Sequence, residues 1–395
     1  MSISNSLLAA EGISIAARSD MATTSEIVVI TGASAGVGRA TVREFAKRGA
    51  HIGLIARGAA ALEGAREEVE RLGGRALVVP ADVSIYEQVE SAAQEVERNL
   101  GPIDIWINNA MVSAFSRFRE MQPAEFSRVT EVTYLGVVHG TMAALHFMSG
   151  RNRGTIVQVG SALAYRSIPL QSAYCGAKHA IRGFTDSIRC ELLHDGIDIH
   201  LTTVHLPALN TPQFDWVKNR LPYKPQPVPP IFQPEVAARA IYWAAHHRRR
   251  ELYVGFPTVK AILANKIIPG YLDRYLAKRG YEAQQTKEFD DHNRPNNLWN
   301  PLPGDFGAHG RFDRLSRPRS VQLWLTTHRW LAAALGAAAG AMGVAYTIRR
   351  WSSTQSSSGL DQTDLPRVLN WPARVARFAS LKRETPWVEG RVRQS

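Results

Sequence analysis

The chain has 395 residues, 45% of them hydrophobic, and a formal net charge of +12. That length and apolar content exclude a disordered chain or a disulfide-stapled miniature and allow one large core with appendages. The charge is uneven: residues 257–395 hold 21 Lys and Arg against 11 Asp and Glu, which places +10 of the +12 in the last third.

A basic tail suits an anionic surface. No zinc-finger, RNP or basic-heptad pattern points to nucleic acid, so a membrane is the expected partner, with a merely solvated tail as the alternative. The two cysteines, Cys175 and Cys190, fall on one predicted helix. Fifteen residues of helix separate them by roughly 22 Å, too far to bridge, and a reduced, cytosol-facing compartment follows. The first twenty residues lack the basic segment and long apolar run of a secretory signal, and residues 1–24 read as a flexible leader.

From residue 26 short β-branched runs alternate with helical stretches. EIVVI is a buried strand, followed by a glycine-rich turn and a helix around Arg39–Arg48. HIGLIA, ALVVPADV, IDIWINNA, GTIVQVGS and IDIHLTTVHLPA are the next five strands, and ELYVGF is the seventh. Helices are predicted over Ala60–Leu72, Tyr86–Asn99 and Pro123–Met148, over a stretch that contains Tyr174 and Lys178 and runs to about Leu193, and over Pro234–His247. Seven strands alternating with six helices predict an α/β fold, a doubly wound parallel sheet of Rossmann type over residues 25–256.

The first turn reads Gly32-x-Ser34-x-Gly36-Val37-Gly38. Glycines there permit a tight turn and let a pyrophosphate approach backbone N–H groups at a helix N-terminus. At the end of the second strand a dinucleotide site usually places an acid for the ribose 2′-OH; here Ile55-Ala56-Arg57-Gly58 offers none before Glu63. Arg57 would pair with a 2′-phosphate, which predicts NADP(H) over NAD(H); the alternative is a surface arginine. Asp82-Val83 after the third strand is placed for an adenine edge, and Asn108-Asn109-Ala110 closes the fourth strand at the same end of the sheet.

Tyr174 and Lys178 stand one helical turn apart among small residues. Such a pair on its own is more often a lysine stem lying over a ring. Chemically, a cation near a phenol favours the phenolate and makes the group a usable acid or base.

Taken together, TGASAGVG, the pair at Asp82, NNA at Asn108, Ser161 thirteen residues before Tyr174, and Tyr174-x-x-x-Lys178 resemble the short-chain dehydrogenase/reductase family over roughly residues 25–256. The resemblance implies Tyr174 as general acid, Lys178 lowering its pKa and holding the nicotinamide ribose, and Ser161 stabilising charge on the substrate oxygen. It also implies a homo-oligomer paired through the helices flanking the site. Pro207 and Thr211 match positions near the nicotinamide.

Three departures stand out. Thr133 occupies the place of a usual asparagine, keeping its backbone carbonyl; Met111 replaces the glycine of NNAG; and Pro207-Ala208 replaces Pro-Gly.

Residues 209–233 are the expected substrate lid, with Phe214, Trp216, Tyr223 and Phe232 among six prolines. They predict either an apolar substrate or a lid packed onto its own domain. Beyond residue 256, residues 257–320 read as accessory helices and a polar linker, residues 321–350 as a membrane helix, and residues 351–395 as a basic tail.

Trp330 to Ile348 holds nineteen uncharged residues with aromatics near its ends and a Gly336-x-x-x-Gly340 spacing. Its arginines, five before and three after, predict the catalytic side in the cytoplasm. An alanine-rich helix lying on or away from the bilayer is the alternative. The functional expectation is NADP(H)-dependent interconversion of an apolar carbonyl and its alcohol; the rival is a non-catalytic, NADP(H)-sensing membrane scaffold.

Overall fold

The computed structural model describes residues 25–355, so the expected leader and most of the basic tail lie outside the described residues. Seven strands form one sheet: β1 (Ile27–Thr31), β2 (His51–Ala56), β3 (Ala76–Pro80), β4 (Ile105–Asn108), β5 (Gly154–Ser161), β6 (Ile199–Leu206) and β7 (Glu251–Tyr253). All neighbours pair in parallel, in the order β7-β6-β5-β4-β1-β2-β3. The Val/Ile-rich runs suit strands covered on both faces, and Val28, Val29 and Ile30 of β1 are fully buried.

Helices α1 (Gly36–Ala46), α2 (Ala59–Arg71), α3 (Tyr86–Asn99), α4 (Pro123–Thr130), α5 (Gly136–Ser149), α6 (Ser172–His194) and α7 (Pro234–Ala245) fill the crossovers. One apolar cluster joins α1, α2 and α7 to the sheet; a second joins α3 and α5 to it. The strand order reverses between β1 and β4, and the crevice that opens there, beyond the strand ends, is where a ligand can enter.

The long helix expected over Pro123–Met148 is divided. Gln122 and Glu125 form a capping box with Pro123 in the first turn, and α4 then widens into a π-helical turn at Glu131–Leu135 before α5 continues. Thr133 lies within that turn, fully buried, its hydroxyl donating to the Val112 carbonyl at 2.8 Å and accepting from the Val112 N–H at 3.1 Å.

Past β7 come α8 (Phe256–Ile267), α9 (Pro269–Arg279) and α10 (Val321–Thr327). The stretch around residues 290–320, linker-like in composition, runs back across the sheet domain. Gln285–Phe289 pairs antiparallel with Tyr223–Pro225, and Ser316–Arg317 pairs with Ile231–Phe232. The chain divides into two compact units between His328 and Arg329. Among the described residues the second is a single helix, α11 (Arg329–Gln355).

Candidate active site

The glycine turn is built as its spacing requires. Gly32 and Gly36 adopt φ of 67° and 58°, where a side chain would be strained. A Cβ on Gly38 would fall 1.9 Å from the Gly32 carbonyl, so its absence lets α1 start tight against β1. Asn109 staples the turn from the other side of the crevice: its side-chain amide donates to the carbonyls of Thr31 (3.0 Å) and Gly32 (3.2 Å). The N–H groups of Asn109 and Ala110 both reach the Thr31 hydroxyl.

A cleft of about 500 Å³ runs along the carboxyl ends of the strands. It brings together nearly the whole predicted set: Gly32, Ser34, Gly36, Val37, Arg57, Asp82, Val83, Asn109, Ala110, Ser161, Tyr174, Lys178, Pro207 and Thr211 all line it. Gly38 and Thr133 do not. Gly38 acts through packing, and the Thr133 side chain fixes the Val112 backbone behind the wall.

β5 delivers Ser161 at its end, and the first two turns of α6 deliver Tyr174 and Lys178. The Lys178 ammonium is 5.6 Å from the centre of the Tyr174 ring and donates to the Val159 carbonyl at 2.7 Å. Burial pushes its pKa down to about 8. Tyr174 shifts opposite to the sequence expectation. Desolvation raises its pKa well above the ordinary phenol value, and only the hydrogen bond with Ser161 counters it. The lysine, turned toward Val159, does not offset that burial, so the phenol stays protonated across the neutral range. Ser161 Oγ also accepts from the Leu163 N–H at 3.1 Å, which fixes the hydroxyl.

Behind Ser161 lies a cluster with no motif to announce it. His205 Nδ1 is 3.2 Å from the Ser161 carbonyl, and its Nε2 is 3.8 Å from Glu251. Tyr165 and Tyr253 both donate their hydroxyls to the same Glu251 oxygen. Burial works to raise the Glu251 pKa, yet the neighbouring His205 imidazole and the hydrogen bonds from the two tyrosines hold it far below the usual carboxylate range. The cluster braces the strand end that carries Ser161.

At the other end of the cleft, a strap of residues 297–307 forms an unforeseen wall. Arg57, the expected 2′-phosphate ligand, donates to the carbonyls of Asn297 (2.5 Å) and Trp299 (2.8 Å). Arg39, 1% exposed, holds Asp305 through two hydrogen bonds of 3.0 Å, and the Gly36 N–H donates to the Gly307 carbonyl at 3.0 Å. Asp82 is engaged by Arg128 and Ser84, which hold its carboxyl below its ordinary pKa against the opposing effect of burial. Asn, Pro and Gly without periodicity read as linker, so sequence offered no sign of this wall.

The lid aromatics pack onto their own domain. Phe214 packs against Phe115 and Phe312, Trp216 against Phe306, and Tyr223 stacks on Phe289; Phe232 is in the core. Phe214 and Trp216 nevertheless also line the cleft, together with Met111 and Ala208.

Comparison with known proteins agrees with this geometry. The family model described as short chain dehydrogenase matches residues 26–218. The chain is 33% identical over 264 residues to the uncharacterised oxidoreductase YxnA of Bacillus subtilis, covering 66% of this chain and 74% of that one. It is 33% identical over 192 residues to a 3-dehydrosphinganine reductase of Danio rerio, covering 47% of this chain and 57% of the relative. An alcohol dehydrogenase from the archaeon Thermococcus sibiricus, solved with 5-hydroxy-NADP, superposes with a TM-score of 0.51 at 28% identity, over 58% of this chain and 95% of that one. The glycine turn and the strand-end crevice suit a dinucleotide, and the chain belongs to the short-chain dehydrogenase/reductase family of oxidoreductases.

Proposed function

We propose that the protein is an NADP(H)-dependent oxidoreductase that interconverts an apolar ketone or aldehyde and its alcohol. The observation that carries this reading is the common cleft: Ser161, Tyr174 and Lys178 line it at one end and the glycine turn and Arg57 at the other. The turn would hold the pyrophosphate of the dinucleotide, Arg57 its 2′-phosphate and Lys178 its nicotinamide ribose. Bound there, the dinucleotide supplies the hydride.

The protein's own groups handle the oxygen. The Ser161 hydroxyl donates to the carbonyl oxygen as negative charge develops on it, a fixed dipole that need not reorganise. The Tyr174 phenol, held protonated by burial, gives its proton to that oxygen. The Lys178 ammonium, 5.6 Å from the centre of the Tyr174 ring, would stabilise the phenolate left behind once it turns from the Val159 carbonyl toward it. The substrate end is walled by Leu163, Ile168, Leu209, Val228 and Ala261, which exclude water and suit an apolar chain beside the carbonyl. The 3-dehydrosphinganine reductase among the relatives is likewise a reductase.

NADPH consumption over a panel of ketones and aldehydes tests the reading. Tyr174→Phe should lower kcat at least about a hundredfold, within the usual range for a lost acid, and leave NADPH binding intact. Full activity in that variant would overturn the mechanism. Tight NADPH binding with no turnover of any panel member would instead favour the sensing scaffold.

Cofactor choice has its own test. Arg57→Ala should weaken NADPH by about 1.5–3 kcal/mol, the range for a lost hydrogen bond to a charged group, with a smaller effect on NADH. Equal loss for both would mean that Arg57 serves only to hold the strap. We further read α11 as a membrane span: Arg329–Ile348 is long and apolar enough by length and composition.

A further inference from the structure

We propose that α8, α9 and α10 form a second, interfacial contact with the membrane: a face that lays the substrate end of the cleft on an anionic bilayer. The fold itself has no use for the apolar side of this face. Among the eleven residues of α9 none is buried, although the helix carries Tyr271, Leu272, Tyr275 and Leu276. On α8 only Thr258 and Ile262 are buried.

What the two helices leave outside is patterned. Phe256, Lys260, Leu263 and Ile267 recur at spacings of four, three and four and so share one side of α8; Tyr271, Tyr275 and Lys278 do the same on α9. The apolar members of these stripes are 51% to 76% exposed. α10 adds Val321 and Trp324, both exposed. It is fixed beside the start of α8 by Gln322, which accepts from the Gly255 N–H at 2.6 Å and donates to the Tyr253 carbonyl at 3.0 Å.

The charge around the stripes selects the occupant. α8 and α9 carry Lys260, Lys266, Arg274, Lys278 and Arg279 against a single acid, Asp273, and that acid is paired with Arg166 at 2.7 Å. Aromatic and branched apolar side chains interleaved with lysines, on short helices with one solvated side, match the chemistry of a helix lying in the headgroup region of an anionic membrane. The chain passes from α10 into the apolar helix α11 across His328 alone. A protein partner would have no comparable need for cations along the whole apolar rim.

The inner side of α8 gives the contact a purpose. Pro257, Thr258 and Ala261 line the cleft. Asn265 donates to the Tyr165 carbonyl and accepts from Arg166, which ties the hairpin to the turn just after Ser161. One helix thus separates the cleft from the apolar face, and an apolar substrate would have a short path from lipid to cleft. The docking surface stands whether or not the proposed reaction is right, because its test reads no turnover.

The experiment uses the full chain in a Cys190→Ser background, with an environment-sensitive fluorophore on Leu263→Cys or Tyr271→Cys. Leu72→Cys is the control, because Leu72 is exposed at the opposite, amino-terminal edge of the sheet. Vesicles of phosphatidylcholine with phosphatidylserine should shift the labels at 263 and 271 to the blue. Nitroxides placed near the headgroups should quench them at least twofold more than nitroxides at mid-bilayer, with no response at 72. Lys260→Glu combined with Lys278→Glu should reduce the shift by at least half, without altering NADPH binding.

Labels at 263 and 271 that behave like the label at 72 on vesicle-bound protein would overturn the proposal. So would failure to bind the vesicles, or a blue shift that grows with protein concentration when vesicles are absent, which would assign the face to a second copy of the chain. Quenching at 263 by mid-bilayer nitroxides alone would also overturn it, as the helix would then be inserted rather than lying at the interface.

Discussion

Lys178, proposed to serve the chemistry, sits where it burdens the fold. Its ammonium is buried with one carbonyl for company, and its pKa falls from the ordinary 10.5 to about 8. A group whose folded pKa is depressed in this way binds fewer protons folded than unfolded between those two values. Stability therefore rises with pH across that window, and below about pH 8 the penalty is present in full, at most about 3 kcal/mol. Lys178→Met should accordingly raise the melting temperature at pH 7 by a few degrees while removing activity, and the gain should shrink toward pH 10. Thermal melts at the two pH values check this; an equal loss of stability at both would show that the side chain supports the fold whatever its charge. At this scale the grouping was legible: the Tyr174–Lys178 spacing is one helical turn, the family resemblance added Ser161, and all three line one cleft. The direction of the Tyr174 shift was not. It depends on burial, which comes from segments distant in sequence and outweighs the hydrogen bond with Ser161, while Lys178 is turned toward the Val159 carbonyl.

At the scale of elements, the β-branched runs and the glycine turn made the parallel sheet readable, since strands covered on both faces need continuous apolar sequence. The strap of residues 297–307 was hidden for the converse reason. Its contacts are made by backbone carbonyls and one carboxylate, which leave no periodic signature. It walls the end of the cleft where the adenosine side of the dinucleotide is proposed to lie, so a strap that acts as a gate would move as the dinucleotide enters and leaves. Asp305 is the latch, bound by Arg39 through two hydrogen bonds, and Arg39 keeps Glu68 when Asp305 is lost. Asp305→Ala should therefore speed NADPH dissociation about tenfold, equivalent to about 1.4 kcal/mol, with little change in melting temperature. Stopped-flow displacement of NADPH measures this, and an unchanged dissociation rate would mean that the strap is fixed wall rather than gate.

For the whole molecule, the two proposed membrane contacts set how firmly the chain would be held. α8 to α10 and α11 make different demands on the bilayer. The first three helices present apolar stripes among cations, a contact that depends on surface charge and weakens with salt. α11 has twenty residues from Arg329 to Ile348 that are long and apolar enough to cross, which is about 30 Å at the helical rise. Alanine makes up much of that helix and is only weakly apolar, so the energy of insertion would be modest and the ends would matter: Trp330 and Tyr346 are placed to serve as interfacial anchors. The division of the chain between His328 and Arg329 gives the place to cut. Membranes from cells making the full chain should retain it through high salt and alkaline carbonate. A chain ending at His328 should keep the cleft and strap, bind membranes at low salt, and leave them in either wash. If the full chain also leaves in carbonate, α11 does not span, and the hold on the membrane is the interfacial contact alone.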